Sequence, residues 1–321
     1  MNILSIIPVS DGQVRKTSLE VASYAAYLAK QSGGQLTALV VGKAPAAELD
    51  RLAAHGLSQI LHATGEWTNL LDHHSWLPAV AAAAAELQAD YLVLPDNAYG
   101  KALAPALAIR LDAAFVPGVD GAPVETQPLR FKRSSFSGKA AAEVSPVTAR
   151  IILTLSPNSF GLHENPQTPE VRSWEPPDSR PARIRLVERR KPEGKMLMSE
   201  ADIIVSGGRG MKGPEHWGPL EALAETLGAA TACSRPVSDE GWRGHDEHVG
   251  QTGKVVAPNL YIACGISGAV QHLAGISASK VLVAINKDPE APIFTAADYG
   301  IIGDVHQILP RLNEAFKAVM E

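Results

Sequence analysis

Polar and glycine residues follow directly on four short apolar runs in the C-terminal part of the chain. They are Ser206 to Arg209, Ser234 with Arg235, Gly265 to His272, and Asn286 to Pro289. Guanidinium groups, serine hydroxyls and the free backbone amides of glycine-rich turns bind phosphate and other anionic or electron-rich ligands. Because ligands of open parallel sheets bind outside the carboxyl ends of strands, these loops predict one ligand site at a sheet edge.

The third loop belongs to a stretch from Val249 to His272 around which the site would be organised. Two turn-rich segments, Val249 to Lys254 and Gly265 to His272, bracket an apolar run, Leu260 to Cys264, that predicts a buried strand. Ser267 is a favourable N-cap for the helix that follows this strand. The free amides and the positive end of that helix would face the ligand.

Each of these loops also has a plain structural interpretation. Ser206 to Arg209 is an ordinary turn when taken alone, and Gln251 and Thr252 are ordinary turn residues. His272 is most simply a satisfied surface or core histidine, and Arg235 a solvated charge. Turns do not require Arg, Thr, Gln and His at one sheet edge. The spacing alone nevertheless leaves a nucleotide or flavin site and an ordinary sheet edge both open.

Other reactive residue types favour structural roles. The run His245 to His248 has residue types that bind metals, but adjacent loop residues rarely converge on one ion without a distant further ligand. Cys233 and Cys264 lack C-x-x-C spacing and end predicted buried strands, which fits small apolar roles in a reducing cytoplasm. No serine has the G-x-S-x-G context of a nucleophile elbow, so the sequence argues against a hydrolase.

The composition is that of a soluble globular protein. The chain has 321 residues, of which 45% are hydrophobic and 20% charged, and this length suffices for two domains with separate cores. A formal net charge of -5 argues against nucleic acid as the main partner. The first apolar run, Asn2 to Val9, is too short for a signal peptide or a membrane span, so we expect a cytoplasmic protein.

The N-terminal half predicts alternating strands and helices, which are typical of a parallel sheet covered on both faces. The expected strands are Ile3–Val9, Leu36–Val41, Ile60–Ala63 and Tyr91–Leu94. The expected helices are one opened by the capping-box spacing of Thr17 to Glu20, then Ala46–Ala54, Pro78–Gln88 and Lys101–Leu111. From Val124 to Leu155, short β-type segments predict strands that finish this sheet antiparallel.

Seven prolines between Pro157 and Pro192 predict a domain boundary, with Ile184 to Val187 as a candidate edge strand. A second alternating series beyond it predicts a doubly wound parallel sheet. Its strands are Ile203–Val205, Ala229–Cys233, Leu260–Cys264, Val281–Ile285 and Tyr299–Ile302, and its helices are Pro219–Leu227, Ser267–Ala274 and Asp304–Val319. The expected domains are an N-terminal α/β scaffold at 1–160, a linker at 161–199 and a C-terminal domain at 200–321.

Motifs across nearly the whole chain resemble the electron transfer flavoprotein alpha subunit family. The specific motifs lie at Val205–Gly210, Cys233–Pro236, Val249–Lys254, Gly265–His272, Ala284–Pro289, Ala291–Phe294 and Asp298–Gly300. The N-terminal part is similar but looser, at Ser18–Glu20, Gly100–Lys101, Pro105 and Ser137–Ala140. Pro117–Asp120 departs from the family's usual serine-aspartate turn, and Trp242–His248 is more charged and histidine-rich than the family pattern.

The resemblance implies a carrier of electrons rather than an enzyme with its own substrate. It implies one FAD in the C-terminal domain and a heterodimer with a smaller beta subunit. Electrons would arrive from acyl-CoA or related dehydrogenases and leave to a membrane quinone oxidoreductase. Whether the beta subunit carries AMP or a second FAD stays open.

The resemblance also assigns the residues that would contact the FAD. The adenosine and pyrophosphate side would meet Arg209, Asn286 and Asp304. The flavin side would meet Ser234, Arg235, Val249, Gly250, Gln251, Thr252 and His272. The helix start would supply Ser267, Gly268, Ala269, Val270 and Gln271. Reduction places negative charge on the pyrimidine side of a flavin, where Arg235, the helix N-terminus and His272 would stabilise it.

Two other classes of protein stay open. A flavin or NAD dehydrogenase with its own substrate would need a catalytic acid or base in a closed pocket, and the sequence offers no clear candidate. A sensor that binds adenine nucleotides would use the same sheet edge but would carry no visible absorbance.

Overall fold

The computed structural model describes residues 1–126, 128–136, 138–188, 197–198 and 201–320. The chain forms two compact units, of which the first comprises Met1–Ser135 with Ala140–Arg190 and the second Phe136–Lys139 with Lys191–Glu321. Each unit is built on a sheet dominated by parallel strands with helices between them, so the predicted α/β class is confirmed.

The first unit contains one large mixed sheet. Its strands are β1 (Asn2–Ser10), β2 (Gln13–Val14), β3 (Gln35–Val41), β4 (Gln59–Ala63), β5 (Tyr91–Pro95), β6 (Ala114–Val119), β7 (Glu125–Thr126), β8 (Leu129–Ser135), β9 (Ala140–Val144), β10 (Ile151–Leu155) and β11 (Glu170–Ser173). Its helices are α1 (Lys16–Ser32), α2 (Ala46–Ala53), α3 (His73–Glu86) and α4 (Ala98–Leu111). The strand order is β11-β4-β3-β1-β5-β10-β6-β8-β7, with β2 beside β1 and β9 beside β8. Apolar residues of α1 and α2 cover one face and those of α3 and α4 the other.

Strand β10 differs from the sequence prediction. It lies between β5 and β6 and is parallel to both, whereas an antiparallel strand was expected for these residues. All of its residues are buried, and a continuous apolar run of this kind suits the centre of a parallel sheet that is covered on both faces. The antiparallel finish is confirmed for β7, β8 and β9, because β8 pairs antiparallel with β6, β7 and β9.

The proline-rich stretch contributes a strand to the first unit. Strand β11 pairs parallel with β4 at the sheet edge, and Trp174 beside it is buried and donates its indole N–H to Glu86 at 2.8 Å. The first unit therefore extends beyond the expected boundary at residue 160. The edge strand expected at Ile184–Val187 is absent, because β11 occupies that edge and these residues remain exposed coil. Two parts of the sequence predictions lie outside the described residues: linker residues 189–196 and 199, and Ser137 of the family-like motif Ser137–Ala140.

Helices α3 and α4 begin earlier than their apolar patterns predict. The Asp72 carboxylate accepts the amide of His74 at 3.2 Å, so α3 starts at His73 rather than at Pro78. Asn97 caps α4 in the same way, and that helix starts at Ala98. Both starts use the capping residue types favoured at helix N-termini.

The predicted capping box at Thr17 to Glu20 is not formed. Helix α1 starts at Lys16, and its N-cap Arg15 makes no side-chain cap bond. The buried Glu20 carboxylate instead accepts the amides of Asn158, Phe160 and Gly161, each at 2.8 Å. Glu20 therefore fixes the loop after β10 against α1.

The second unit is a doubly wound parallel sheet, as predicted. Its strands are β12 (Ile203–Gly207), β13 (Ala230–Cys233), β14 (Leu260–Cys264), β15 (Val281–Asn286) and β16 (Tyr299–Ile302), in the order β13-β12-β14-β15-β16. Its helices are α5 (Gly218–Thr226), α6 (Arg235–Asp239), α7 (Val270–Ile276) and α8 (Val305–Met320). Residues of α5 and α8 pack on one face and residues of α7 on the other. Among the residues described, no helix is both long and apolar enough to cross a membrane.

Candidate functional site

A cleft of about 440 Å³ opens at the carboxyl ends of the strands of the second unit. The chain leaves β12 for β13 on one side and then returns to β14 on the other, so the strand order reverses between β12 and β14. Ligands of open parallel sheets bind at such a switch point. The cleft is lined by Arg209, Gly210, Ser234, Arg235, Pro236, His248, Val249, Gly250, Thr252, Gly265, Ile266, Ser267, Ala269, Gln271, His272, Asn286, Asp288, Ala291 and Pro292.

Four of the residues predicted from the sequence do not line this cleft. Gln251 is exposed, and its backbone amide donates to the carbonyl of Gln271 at 2.8 Å. Val270 is 66% exposed, and Gly268 packs against the backbone of the following loop. Asp304 lies instead in a second cavity. The four predicted loops otherwise meet at one sheet edge.

The second cavity, of about 380 Å³, adjoins the first one. The residues common to both are Arg209, Gly210, Gly265 and Asn286, and the second cavity adds Lys212, Lys287, Gly303, Asp304 and Val305. Two cavities that share one wall form a continuous groove along the carboxyl ends of β12, β14 and β15. Such a groove suits an elongated ligand with two unlike ends.

Polar side chains of the second cavity already have protein partners. The Asn286 side-chain amide donates to the carbonyl of Ile266 at 2.9 Å and accepts the amide of Asp288 at 3.0 Å, so it joins two loops of the groove. Asp304 accepts the amide of His306 at 3.0 Å as the cap of α8, and the amine of Lys212 at 3.1 Å. These two bonds hold the pKa of Asp304 below its usual range.

Two arginines of the cleft differ in their ionic partners. Arg209, at the junction of both cavities, forms no ion pair with any residue in the described ranges. Arg235 begins α6 and pairs with Asp239 one turn later at 3.2 Å, with 61% of its side chain exposed. Arg209 is therefore available to an anionic ligand, whereas part of the charge of Arg235 is balanced by Asp239.

His272 is held as a neutral imidazole. Its Nδ1 lies 3.1 Å from the carbonyl oxygen of Val249, which can only accept, so Nδ1 carries the proton. Nε2 then accepts the hydroxyl of Tyr261, also at 3.1 Å. Burial lowers the pKa of His272 to about 4, although the bond to Val249 opposes this. His272 is therefore a neutral group whose two ring nitrogens both have partners within the protein.

Ser267 is not the N-cap of the helix that follows β14. Helix α7 starts at Val270 with Ala269 as its N-cap, and Ser267 lies in extended chain before it. Gly268 has a φ of 89°, and the carbonyl of Ser267 accepts the amide of Ile293 at 2.9 Å, so this segment follows the neighbouring loop. In the described structure the amides of Ser267, Gly268 and Ala269 donate no backbone hydrogen bond. Of these three residues, Ser267 and Ala269 line the cleft, so their amides remain available to a ligand.

The turn that carries Thr252 is closed by backbone hydrogen bonds. Gly250 donates to the carbonyl of Lys254 at 3.1 Å, and Gly253 donates to that of Gly250 at 3.0 Å. The Thr252 hydroxyl lines the cleft and has no hydrogen-bond partner within the described ranges. It can therefore donate to or accept from a ligand.

The structure adds His248, Asp288 and an apolar wall of Ile266, Ala291 and Pro292 to the cleft. His248 ends a histidine-rich run whose types suggested a metal rather than an organic ligand. The wall residues lie in the motifs Gly265–His272 and Ala291–Phe294, but the sequence does not assign them to the ligand, because their contact with the cleft depends on the paths of the loops after β14 and β15. A further signal is the G-x-G-x-x-G pattern from Gly208 to Gly213, which directly follows β12.

The two cysteines and the histidine-rich loop before His248 have local structural surroundings. Cys233 and Cys264 are buried and their thiols are free. Their strands, β13 and β14, lie on opposite sides of β12, where Gly207 is the backbone neighbour of both. Two strand spacings of ~4.8 Å therefore separate the cysteines, which is too far for a disulfide. Burial raises the pKa of each thiol to about 12. The Nδ1 atom of His245 forms a hydrogen bond with the hydroxyl oxygen of Ser238 at 2.8 Å. No cluster of three or more metal-binding side chains occurs in the part of the chain that the structure describes.

Comparison with known proteins then decides the family. The family model of the electron transfer flavoprotein domain matches residues 3–179. The family model of the electron transfer flavoprotein FAD-binding domain matches residues 197–277. The electron transfer flavoprotein subunit alpha of Bacillus subtilis (strain 168) is 37% identical over 312 residues, which cover 96% of this chain and 95% of that protein. This chain belongs to the electron transfer flavoprotein alpha subunit family. The alpha subunits of Pseudomonas aeruginosa and Paracoccus denitrificans are 39% and 36% identical and cover 89% and 98% of the chain, or 92% and 99% of their own lengths.

The family's cofactor is FAD, and the groove fits it. An unpaired Arg209 at the junction of the cavities, free amides at Ser267 and Ala269 and a free Thr252 hydroxyl are donors suited to a pyrophosphate and a flavin. The apolar wall offers a surface for an aromatic ring system. The chain thus functions as an electron transfer flavoprotein alpha subunit, with FAD in its second unit.

Proposed function

We propose that this chain holds FAD with its flavin in the first cavity and its adenosine end in the second. We propose further that it works in the cytoplasm as a heterodimer with a beta subunit. In this role it accepts electrons from acyl-CoA and related dehydrogenases and passes them to a membrane quinone oxidoreductase. The observation that carries the cofactor assignment is the continuous groove with the unpaired Arg209 at its centre.

Each part of the groove has a separate task in this proposal. Arg209 and the amides of Ser267 and Ala269 hold the pyrophosphate, because they line the groove and are donors without protein acceptors. Asn286 and Asp304 border the adenosine end, where their bonds to Ile266 and Lys212 keep the wall rigid. Bound flavin supplies the capacity to take up and release electrons.

Four residues around the flavin end set its environment without transferring a proton to a substrate. Arg235 supplies positive charge, partly balanced by Asp239. Thr252 supplies a hydroxyl, and Ser234 another from the start of α6. The neutral His272 shapes the wall through its fixed bonds to Val249 and Tyr261 and is not a proton donor to a substrate. This arrangement suits electron transfer more than a reaction on a second substrate.

The test is flavin content together with electron transfer. The chain produced with its beta subunit should be yellow, and it should be reduced by an acyl-CoA dehydrogenase with substrate but not by the acyl-CoA alone. Arg209→Ala should lose FAD on dilution by about tenfold or more, the effect of removing a charge-assisted bond of ~1.5–3 kcal/mol. Arg311→Ala, an exposed arginine of α8 outside both cavities, is the matched control and should retain FAD.

Three results would contradict the proposal in different ways. A colourless protein that binds adenine nucleotides would support a nucleotide sensor. Turnover of a substrate by this chain without a donor dehydrogenase would support a stand-alone dehydrogenase. Equal FAD loss from Arg209→Ala and Arg311→Ala would remove Arg209 from the cofactor site.

A further inference from the structure

His248 is a buried imidazole on the wall of the first cavity. The residue is 8% exposed and faces the cleft beside Arg235 and His272. Neither of its ring nitrogens has a hydrogen-bond partner in the ranges that the structure describes. Both ring nitrogens are open to the cleft and are not sealed within the protein, so a ligand that enters the cleft can replace water as their hydrogen-bond partner.

The backbone holds this ring in place. The carbonyl of His248 accepts the amide of Lys254 at 2.9 Å, and its amide donates to the carbonyl of His245 at 3.2 Å. Gly253 lies directly under the ring, since a Cβ built there would be 2.7 Å from Nδ1. The imidazole is therefore fixed against the turn that carries Thr252.

Charged and titratable groups approach His248 from three sides. Arg235 and Asp239 lie on α6, His245 lies on the preceding turn, and His272 lies on α7. Burial lowers the pKa of His248, Arg235 and His245 lower it further, and Asp239 opposes them. Of the other charges on its loop, Lys254 donates to the carbonyl of Asp246, and Glu247 is paired with Arg243. His248 is therefore neutral at neutral pH until a negative charge enters the cleft.

We propose that His248 hydrogen-bonds the flavin and takes up a proton when the flavin is reduced, so that the reduction potential depends on pH through this residue. The proposal rests on the proposed function, because it requires the flavin in the first cavity. The electron comes from the donor dehydrogenase and the proton from solvent. The only bond that forms is the second N–H bond of the imidazole, and no bond breaks in the cofactor or the protein.

The matched comparison is His248→Gln against His245→Gln. Glutamine keeps hydrogen-bonding capacity and does not titrate, and His245 is an exposed histidine three residues earlier that is bonded to Ser238 and does not line the cleft. The FAD-loaded chain with its beta subunit is titrated spectroelectrochemically from about pH 5.5 to 8.5, the range in which histidine changes charge. Over part of this range, a fall of one pH unit should raise the equilibrium constant for flavin reduction in the wild type by up to tenfold more than in His248→Gln. This difference is ~59 mV per pH unit for one electron.

His245→Gln should keep a pH dependence of the same steepness as the wild type, displaced slightly to higher pH because His245 lowers the pKa of His248. Parallel pH dependence of wild type and His248→Gln, with FAD bound in both, would overturn the proposal and leave the FAD site intact. A wild-type protein without visible flavin absorbance would overturn both proposals. If His248→Gln loses FAD, the proposal is tested instead by NMR of the wild type labelled at its histidines. One imidazole must show a higher pKa in the reduced protein than in the oxidised one, and unchanged histidine pKa values in both states would refute the role.

Discussion

Acidification should destabilise the second unit through His272. The ordinary histidine pKa of ~6.5 applies to the unfolded chain, whereas burial lowers the pKa of His272 to about 4 in the folded one. Between these values the unfolded chain binds one proton more than the folded chain, so the free energy of unfolding falls as the pH falls. The neutral His272 makes its full contribution to the free energy of unfolding above pH 6.5, and this contribution is lost completely only near pH 4.

The magnitude follows from the pKa difference. From pH 6.5 to pH 5 the loss is 1.5 pH units at ~1.36 kcal/mol each, or about 2 kcal/mol. The suitable variant is His272→Gln, which cannot titrate. It should be less stable than the wild type at pH 7, because Tyr261 and Val249 each lose a bond at 3.1 Å. Its stability should nevertheless fall less steeply with pH.

Hydrogen exchange of the Leu260–Cys264 amides measures this effect in the unit concerned. A global unfolding curve would mix two units, whereas strand β14 reports on the second unit alone. Rates are corrected for the intrinsic pH dependence of exchange, and both proteins carry the same FAD load, because bound cofactor adds stability. If the wild type and His272→Gln lose the same free energy between pH 7 and pH 5, His272 is not the buried neutral group described above.

Three further outcomes are expected. Arg235→Ala should lower the reduction potential of bound FAD by only about 20–40 mV, because exposure and the Asp239 pair reduce its charge effect to roughly 0.5–1 kcal/mol; a spectroelectrochemical titration that gives equal midpoints would place Arg235 outside the flavin environment. Asp304→Ala should destabilise α8 by ~1 kcal/mol, and Asp304→Ser should restore the helix cap. FAD retention is measured by equilibrium dialysis, and a serine variant that retains as much FAD as the wild type would show that Asp304 is only a cap. Gly268→Ala should cost about 2–4 kcal/mol in urea unfolding, because the new Cβ would lie 2.3 Å from a backbone nitrogen at positive φ, whereas Gly218→Ala has no atom within 4 Å of its Cβ and should cost nothing.

The sequence predicts the strands of the second unit and the loops that follow them. Each strand is an apolar run, and each loop begins where polar or glycine residues replace it, so the meeting of Arg209, Ser234 and Ser267 follows from parallel pairing alone. The state of His272 does not follow from this pattern. Its partners Tyr261 and Val249 are 11 and 23 residues away, and periodicity contains no information on which side chains meet across a cleft.

The first unit shows a second limit of the sequence pattern. An apolar run predicts that Ile151–Leu155 is a buried strand, but it does not specify the direction of its neighbours. Strand β11 gives no apolar signal because all four of its residues are exposed, and only backbone pairing with β4 defines it. The helix starts at His73 and Ala98 could be found from the capping residues Asp72 and Asn97 rather than from the apolar pattern.

The position of β10 has a consequence for synthesis on the ribosome. Strands β1 to β5 can pair as they emerge, but β6 leaves the ribosome before β10, the strand to which it pairs, has been made. Until Leu155 has emerged, the growing chain therefore exposes one unpaired edge of β5 and the edge of β6 that later pairs with β10. Open strand edges recruit other chains, so a nascent chain stalled at this length depends on chaperones more than one stalled after β10.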